Sequence, residues 1–251
     1  QGISNNVIST WNICKCSIEH NVSKVVLVSS DKAVRPTNIM GATKRLSEII
    51  FQAYASLNKK GTQNSPAMKT CFSMVRFGNV LGSSGSVVPL FKKQIKYGGP
   101  ITITHKDIVR YFMSISEAAQ LLIYTLVLAK GGEVFLLDMG EPIKIFDLAE
   151  RMIINSGLTL KNEDNPEGDI EIVYSGLRPG EKLFEELLID AEAKPTSHPL
   201  IFMANEKLIK IDKLLPMLDK LEFNLNSYNK NETLNLLRKL VPEWKSEYFK
   251  T

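Results

Sequence analysis

The sequence predicts an α/β fold built on a parallel sheet. Three observations carry this expectation. Short β-branched, apolar runs recur through the first part of the chain. They are continuous rather than alternating, the pattern of strands buried on both faces. Helix-length amphipathic stretches separate them, which is the arrangement of βαβ units.

The elements follow in order. Residues Ile8 to His20 read as a helix, and "KVVLVSS" (Lys24 to Ser30) as the first strand. Gly41 to Leu57 carries apolar side chains at Leu46, Ile49, Ile50 and Ala53, the spacing of a helix face. "TCFSMVRF" (Thr70 to Phe77) is the second strand. Val87 to Lys96 is a helix, stopped by Tyr97-Gly98-Gly99-Pro100. Ser116 to Lys130 is a helix that includes "AAQLLIYTLVLA" (Ala118 to Ala129). That stretch is too short for a membrane span and reads as a buried helix. "EVFLLDM" (Glu133 to Met139) is the third strand. Beyond about residue 140 the alternation loosens. "LKNEDNPEGD" (Leu160 to Asp169) is a polar loop, and from Lys207 onward the chain reads as short helices.

Composition narrows the function. At 251 residues, 44% hydrophobic and 23% charged, the chain is ordinary globular material, able to bury one large core or two small ones. A net charge of +4 with scattered basic residues gives no basic stripe, so no nucleic acid partner is expected. Cys14, Cys16 and Cys71 form no disulfide framework, which suits a reducing compartment. His20, His105 and His198 make no ligand pattern, so no metal is expected. The glycine fingerprint of a dinucleotide-binding first turn is absent. Its nearest imitation, "GNVLGSSG" (Gly78 to Gly85), has the wrong spacing. As a loop leading into a helix, it could still bring backbone amides and Asn79 to a phosphate.

In open α/β sheets, reactive residues gather at the carboxyl ends of strands. "VSSDKAVRPTNIMGATKRLSEII" (Val28 to Ile50) begins at such an end, with Asp31 and Lys32 adjacent. A capped turn closed by Pro36 would explain them. So would an acid and a base: an aspartic acid donates a proton to a leaving hydroxyl, and a free lysine amine takes one from carbon. Both tasks fit elimination of water beside a carbonyl.

That segment resembles the catalytic segment of the polysaccharide-biosynthesis (CapD-like) nucleotide-sugar 4,6-dehydratases, which are extended short-chain dehydrogenases/reductases. The blocks "VRFGNVLGSSGSVVPLFKKQI", "GGPITITHKDIVRYFMSISEA", "EVFLLDMGEPIKI" and "GLRPGEKLFEELL" are similar to family blocks, in family order. Met40-Gly41-Ala42-Thr43-Lys44 stands where most of the superfamily has Tyr-x-x-x-Lys, which resembles the membrane-anchored branch. The resemblance implies a Rossmann-like sheet, the C-terminal half of a doubly wound fold, with a smaller substrate-binding domain. It implies the dinucleotide-binding part at 1–80 and 106–139, the substrate-binding region at 81–105 and 140–206, and a helical appendage at 207–251. It also implies that this is the C-terminal part of a longer protein whose upstream segment holds the glycine fingerprint and any membrane anchor. That protein would lie at the cytoplasmic face of the inner membrane and form a homo-oligomer.

Roles follow from the same resemblance. Lys44 would hold the nicotinamide ribose of a recycled NAD or NADP, with Arg76 and Phe77 also at the cofactor. Asp31 would be the acid at the sugar C6 hydroxyl and Lys32 the base at C5. Ser30 would bond to the sugar, and Met40 would occupy the tyrosine position without its proton. Asn79, Ser86 and Val87 would line the nucleotide, Arg110 and Arg178 would clamp phosphates, and Glu181 would accept from the uridine ribose. The expected substrate is a UDP-N-acetylhexosamine, UDP-N-acetylglucosamine first. Epimerisation or reduction on the same scaffold, or a non-catalytic nucleotide-sugar-binding fragment, are the alternatives.

Overall fold

The computed structural model describes residues 1–59, 69–83, 85–186, 193–204, 206 and 209–245. A π-helical turn (Ser4–Ile8) runs into α1 (Ser9–Glu19), then β1 (Lys24–Val28), a 3₁₀ turn (Asp31–Ala33), α2 (Ile39–Ala55) and β2 (Cys71–Arg76). Next come β3 (Asn79–Val80), α3 (Val87–Lys96), β4 (Ile101–Ile103), β5 (Val109–Arg110), β6 (Phe112–Met113), α4 (Ile115–Leu128) and β7 (Val134–Leu137). The chain continues through β8 (Ile143–Lys144), α5 (Ile145–Asn155), β9 (Leu160–Lys161), β10 (Ile170–Tyr174), β11 (Lys194–Pro195) and β12 (Ile201–Ala204). It closes with α6 (Ile211–Asn226) and α7 (Lys230–Leu240).

These elements form two compact units, residues 1–77, 120–138 and 186–251, and residues 78–119 and 139–185. The first holds a five-stranded sheet in the order β1-β2-β7-β12-β11. β1, β2 and β7 are parallel, as their sequence pattern predicts. β12 joins β7 antiparallel and β11 joins β12 antiparallel, so the sheet is mixed. β2 and β7 are almost wholly buried, whereas β1 is paired on one side only and stays partly open to solvent. The second unit holds a parallel β4-β10-β9 sheet, around which Phe91, Ile95, Ile145, Ala149 and Ile153 of α3 and α5 form a core.

The helix that matters most is α2. The Asn38 side chain caps it by accepting from the Gly41 N–H at 2.9 Å. Gly41 and Thr43 are poor helix formers, but burial outweighs propensity here. Leu46, Ile49, Ile50 and Phe51 lie in the core of the first unit, each contributing about 1.5–3 kcal/mol on burial.

Leu214, Leu218 and Leu221 of α6 and Leu236, Leu237 and Leu240 of α7 share the α2 core of the first unit, and residues 106–119 group with the second. One expectation needs correction: α4 is not buried all round. Ala118, Leu121 and Thr125 are buried, while Ile123 (63%) and Val127 (72%) are exposed. An apolar sequence on every face signals burial, but one layer of sheet covers only one face. No helix among the described residues is long and apolar enough to cross a membrane.

Candidate active site

In the first unit the site is built where β1 and β2 end. The Ser29 N–H donates to the Val75 carbonyl at 2.8 Å, the last rung of the sheet. Ser30, in extended backbone, then caps the 3₁₀ turn by accepting from the Lys32 N–H. This turn aims Asp31 inward, where its side chain is only 2% exposed, and leaves Lys32 at 37%. The Asp31 N–H donates to the Phe77 carbonyl at 3.4 Å. The Asp31 carboxylate accepts from the Ser30 hydroxyl at 2.8 Å, and from Lys32 Nζ at 2.9 Å on one oxygen and 3.2 Å on the other. Ser30, Asp31 and Lys32 are thus one hydrogen-bonded group.

The loop from Lys32 to α2 is taut. Arg35 holds φ at +40°, a strained conformation for an L-residue, immediately before Pro36. In α2, fourteen of the seventeen residues are buried; the three that are not are Ile39, Met40 and Lys44. Met40 and Lys44 stand four apart and so share one face. A helix otherwise sunk in the core keeps that face open.

Gly41 sits between them for a steric reason. A β-carbon there would run into the Lys32 carbonyl oxygen and lie 3.0 Å from Pro36 Cβ. Gly→Ala inside a helix normally gains about 1 kcal/mol. Here overpacking against backbone reverses the sign, at a cost of about 1–3 kcal/mol. Gly41→Ala is expected to lower the urea midpoint and to displace Lys32. A variant as stable as the parent would show that the close approach does not constrain the loop.

Beneath this face lies a buried ion network that the sequence reading missed. The Glu48 carboxylate accepts from Ser29 Oγ at 2.6 Å, from Arg76 Nε and Nη2 at 2.7 Å each, and from Arg45 Nη1 at 3.0 Å. Arg76 also bonds Glu206 at 2.6 Å, and Arg45 bonds Glu206 at 2.8 Å and Glu243 at 2.6 Å. Burial pushes the Glu48 carboxyl up, but the guanidiniums of Arg76 and Arg45 and the Ser29 hydroxyl outweigh it and hold it below the usual carboxylate range. The Arg76 side chain, expected at a cofactor, is therefore wholly buried and engaged by Glu48 and Glu206. Phe77 enters the site through its carbonyl.

In the second unit, Glu181 is the organising residue. Arg178, Pro179, Gly180 and Glu181 form a tight turn, with Gly180 at φ +73° and the Glu181 N–H donating to the Arg178 carbonyl. The Glu181 carboxylate accepts from the Arg178 N–H, the Thr104 hydroxyl and Arg110 Nη2. Arg110 also meets Glu185 at 3.1 Å, so this guanidinium is shared between two carboxylates. Arg178 is exposed. Asn79 Nδ2 donates to Glu185 at 3.2 Å. Ser86 caps α3, and its buried hydroxyl meets no partner among the described residues. Val87 is the first residue of that helix and is partly buried. No cluster of three metal-ligating side chains occurs among the described residues.

A family profile described as polysaccharide biosynthesis protein matches residues 1–206. The chain belongs to that family. Within the family's reach, it is 52% identical over 195 residues to the capsular polysaccharide biosynthesis protein CapD of Staphylococcus aureus, covering 78% of this chain and 30% of CapD. The solved structure of Pen from Bacillus thuringiensis is 38% identical, with a TM-score of 0.67, and the match covers 82% of this chain and 60% of Pen. dTDP-glucose 4,6-dehydratase from Bacillus anthracis, solved in complex with NAD, shares the fold at 18% identity and a TM-score of 0.56, over 70% of this chain and 58% of that one. This family member thus spans about a third of CapD and well over half of each structural neighbour, on a Rossmann-type sheet.

Proposed function

We propose that this chain carries the dehydration chemistry of a nucleotide-sugar 4,6-dehydratase. The substrate in this reading is a UDP-N-acetylhexosamine, UDP-N-acetylglucosamine first, and the product a UDP-4-keto-6-deoxy sugar. The observation that carries it is the buried Asp31 carboxylate bonded to both the Ser30 hydroxyl and the Lys32 amine, at the carboxyl end of the sheet. A capped turn needs Ser30 alone; it does not need a lysine brought onto a carboxylate that is already buried.

A nicotinamide cofactor, when bound, accepts a hydride from the sugar C4 and returns it at C6. The open Met40–Lys44 face of α2 suits such a group, with Lys44 as the donor to its ribose, and the Bacillus anthracis neighbour is an NAD complex. Residues of this chain do the rest. Met40 has no proton to exchange, so the C4 hydroxyl proton passes to Ser30, whose own proton passes to Asp31 along the 2.8 Å hydrogen bond between them. That proton makes Asp31 an acid and dissolves its ion pair with Lys32. Released from that pair, Lys32 gives one proton to solvent; as the free amine it takes the C5 proton, and Asp31 delivers its proton to the departing C6 hydroxyl, which leaves as water. Lys32 then returns its proton to C5 and regains its third proton from solvent. Epimerisation at C4 needs neither an acid at C6 nor a base at C5, so the pair favours dehydration.

In the second unit, Arg178, Ser86 and Asn79 serve nucleotide recognition, with Arg110 held in place by Glu181 and Glu185. Charge-assisted bonds to phosphate are worth about 1.5–3 kcal/mol. Arg178→Ala is expected to weaken UDP-sugar binding roughly tenfold. Unchanged affinity by calorimetry would remove Arg178 from the site.

The reading itself is tested by incubating the protein with NAD and UDP-N-acetylglucosamine and following the sugar by NMR. A 4-keto-6-deoxy product supports it. A C4 epimer that keeps its C6 hydroxyl would replace it with epimerisation.

A further inference from the structure

The C-terminal residues 241–245 lie outside the family match, yet they close on the loop that carries the reactive pair. The Lys245 N–H donates to the Pro36 carbonyl at 3.1 Å, beside the strained Arg35. Two residues earlier, Glu243 accepts from Arg45 Nε at 2.6 Å, one residue after Lys44. Val241 and Trp244 are buried in the same core as Ala42 and Leu46 of α2. A single five-residue stretch therefore grips the loop after Lys32 and the helix bearing Met40 and Lys44.

We propose that Val241–Lys245 is a strap that positions the reactive loop and α2, with Glu243 as its positioning residue. A strained φ such as that of Arg35 persists only where the surroundings over-determine it. The strap supplies two such constraints just after the strained residue: a backbone bond at Pro36, and a charged bond at Arg45. Glu243 is only 22% exposed, so this charged bond is partly shielded from water and salt. Glu206 meets the same guanidinium, at 2.8 Å on Nη1. Glu206 alone leaves Nε unserved, and Nε is the atom that fixes the rotation of the guanidinium about the helix.

The test uses the full chain and two readouts. In Glu243→Ala, amide hydrogen exchange at residues 30–34 and 40–45 is expected to quicken about tenfold or more, while β2 and β7 keep their protection. Glu243→Gln keeps the size and one acceptor oxygen, so it should quicken exchange less; it also carries the test if the alanine variant does not fold. Unchanged exchange at those two segments, or equal loss across the sheet, would overturn the strap. The second readout rests on the dehydratase reading: kcat should fall in the order parent, Gln, Ala, with KM for UDP-N-acetylglucosamine unchanged. A rise in KM at constant kcat would overturn it. Should the parent chain make no 4-keto sugar, the dehydratase reading fails and the exchange result alone decides the strap.

Discussion

Lys32→Ala is expected to abolish formation of the 4-keto sugar while leaving UDP-sugar binding nearly intact. On the dehydratase reading the amine acts on carbon in the transition state, so its loss removes the C5 base rather than a ground-state contact. Binding is expected to survive because the side chains proposed to recognise phosphate lie in other elements. Asp31→Asn should behave similarly: an amide keeps roughly the shape of the acid but cannot deliver its proton. Met40→Leu gives the contrast. If the methionine only fills space on the open face of α2, an apolar swap of similar volume costs less than about 1.5 kcal/mol. Turnover and equilibrium binding, measured on the same preparations, separate these outcomes. Normal turnover in Lys32→Ala would return the Asp31–Lys32 pair to a capped turn, and the mechanism with it. A Met40→Leu loss as deep as that of Lys32→Ala would assign the sulfur a role of its own.

Arg76→Ala is expected to be the most destabilising change in the first unit. Removing one partner of a buried ion pair typically costs about 3–5 kcal/mol, because the remaining charge is stranded. Here two carboxylates, Glu48 and Glu206, would lose their shared cation. That is a large share of the roughly 5–15 kcal/mol that holds a typical domain together. Urea denaturation would show the midpoint collapse; a shift of a few tenths of a molar would mean that water or Arg45 compensates. The same network makes stability depend on acid. The folded-state Glu48 carboxyl is held below its ordinary value of 4.5, so the unfolded chain takes up a proton there first. The stabilisation is complete above that value and is lost as pH falls through the lower, folded one. Glu48→Gln has no proton to take up at this site, so its stability should fall less steeply on the acid side, from a lower starting level.

The sheet and its helices were legible because their signals are local. β1, β2 and β7 are apolar, β-branched or aromatic runs, and α3 begins and ends at the residues its sequence marks, Val87 and Lys96. β11 and β12 left no such trace: they are short, set among Pro195, Pro199 and His198, and exist only because β7 offers an edge. The hydrogen-bonded group proposed as reactive was legible for the same reason of nearness, since Ser30, Asp31 and Lys32 are consecutive. The network under it was not. Glu48 is an ordinary helix carboxylate in sequence, and its partners lie 3, 19 and 28 residues away. An Arg-x-x-Glu spacing from Arg45 to Glu48 was the one visible hint, and it reads equally as a surface pair. Glu206 and Glu243 are more distant still, so α6 and α7 look like an addition to the fold rather than part of its core.

The bond from Arg45 to Glu243 spans 198 residues of chain. At about 5–20 residues per second, a ribosome needs roughly 10–40 seconds to pass from one to the other. Throughout that interval the network of α2 is incomplete: Glu206 arrives late in it, and Glu243 last of all. The nascent protein therefore carries two buried-type arginines, one carboxylate between them, and an uncovered apolar helix, and it is in this window that chaperones have the most to shield. A message that slows between the codons for Arg45 and Glu243 lengthens the exposure.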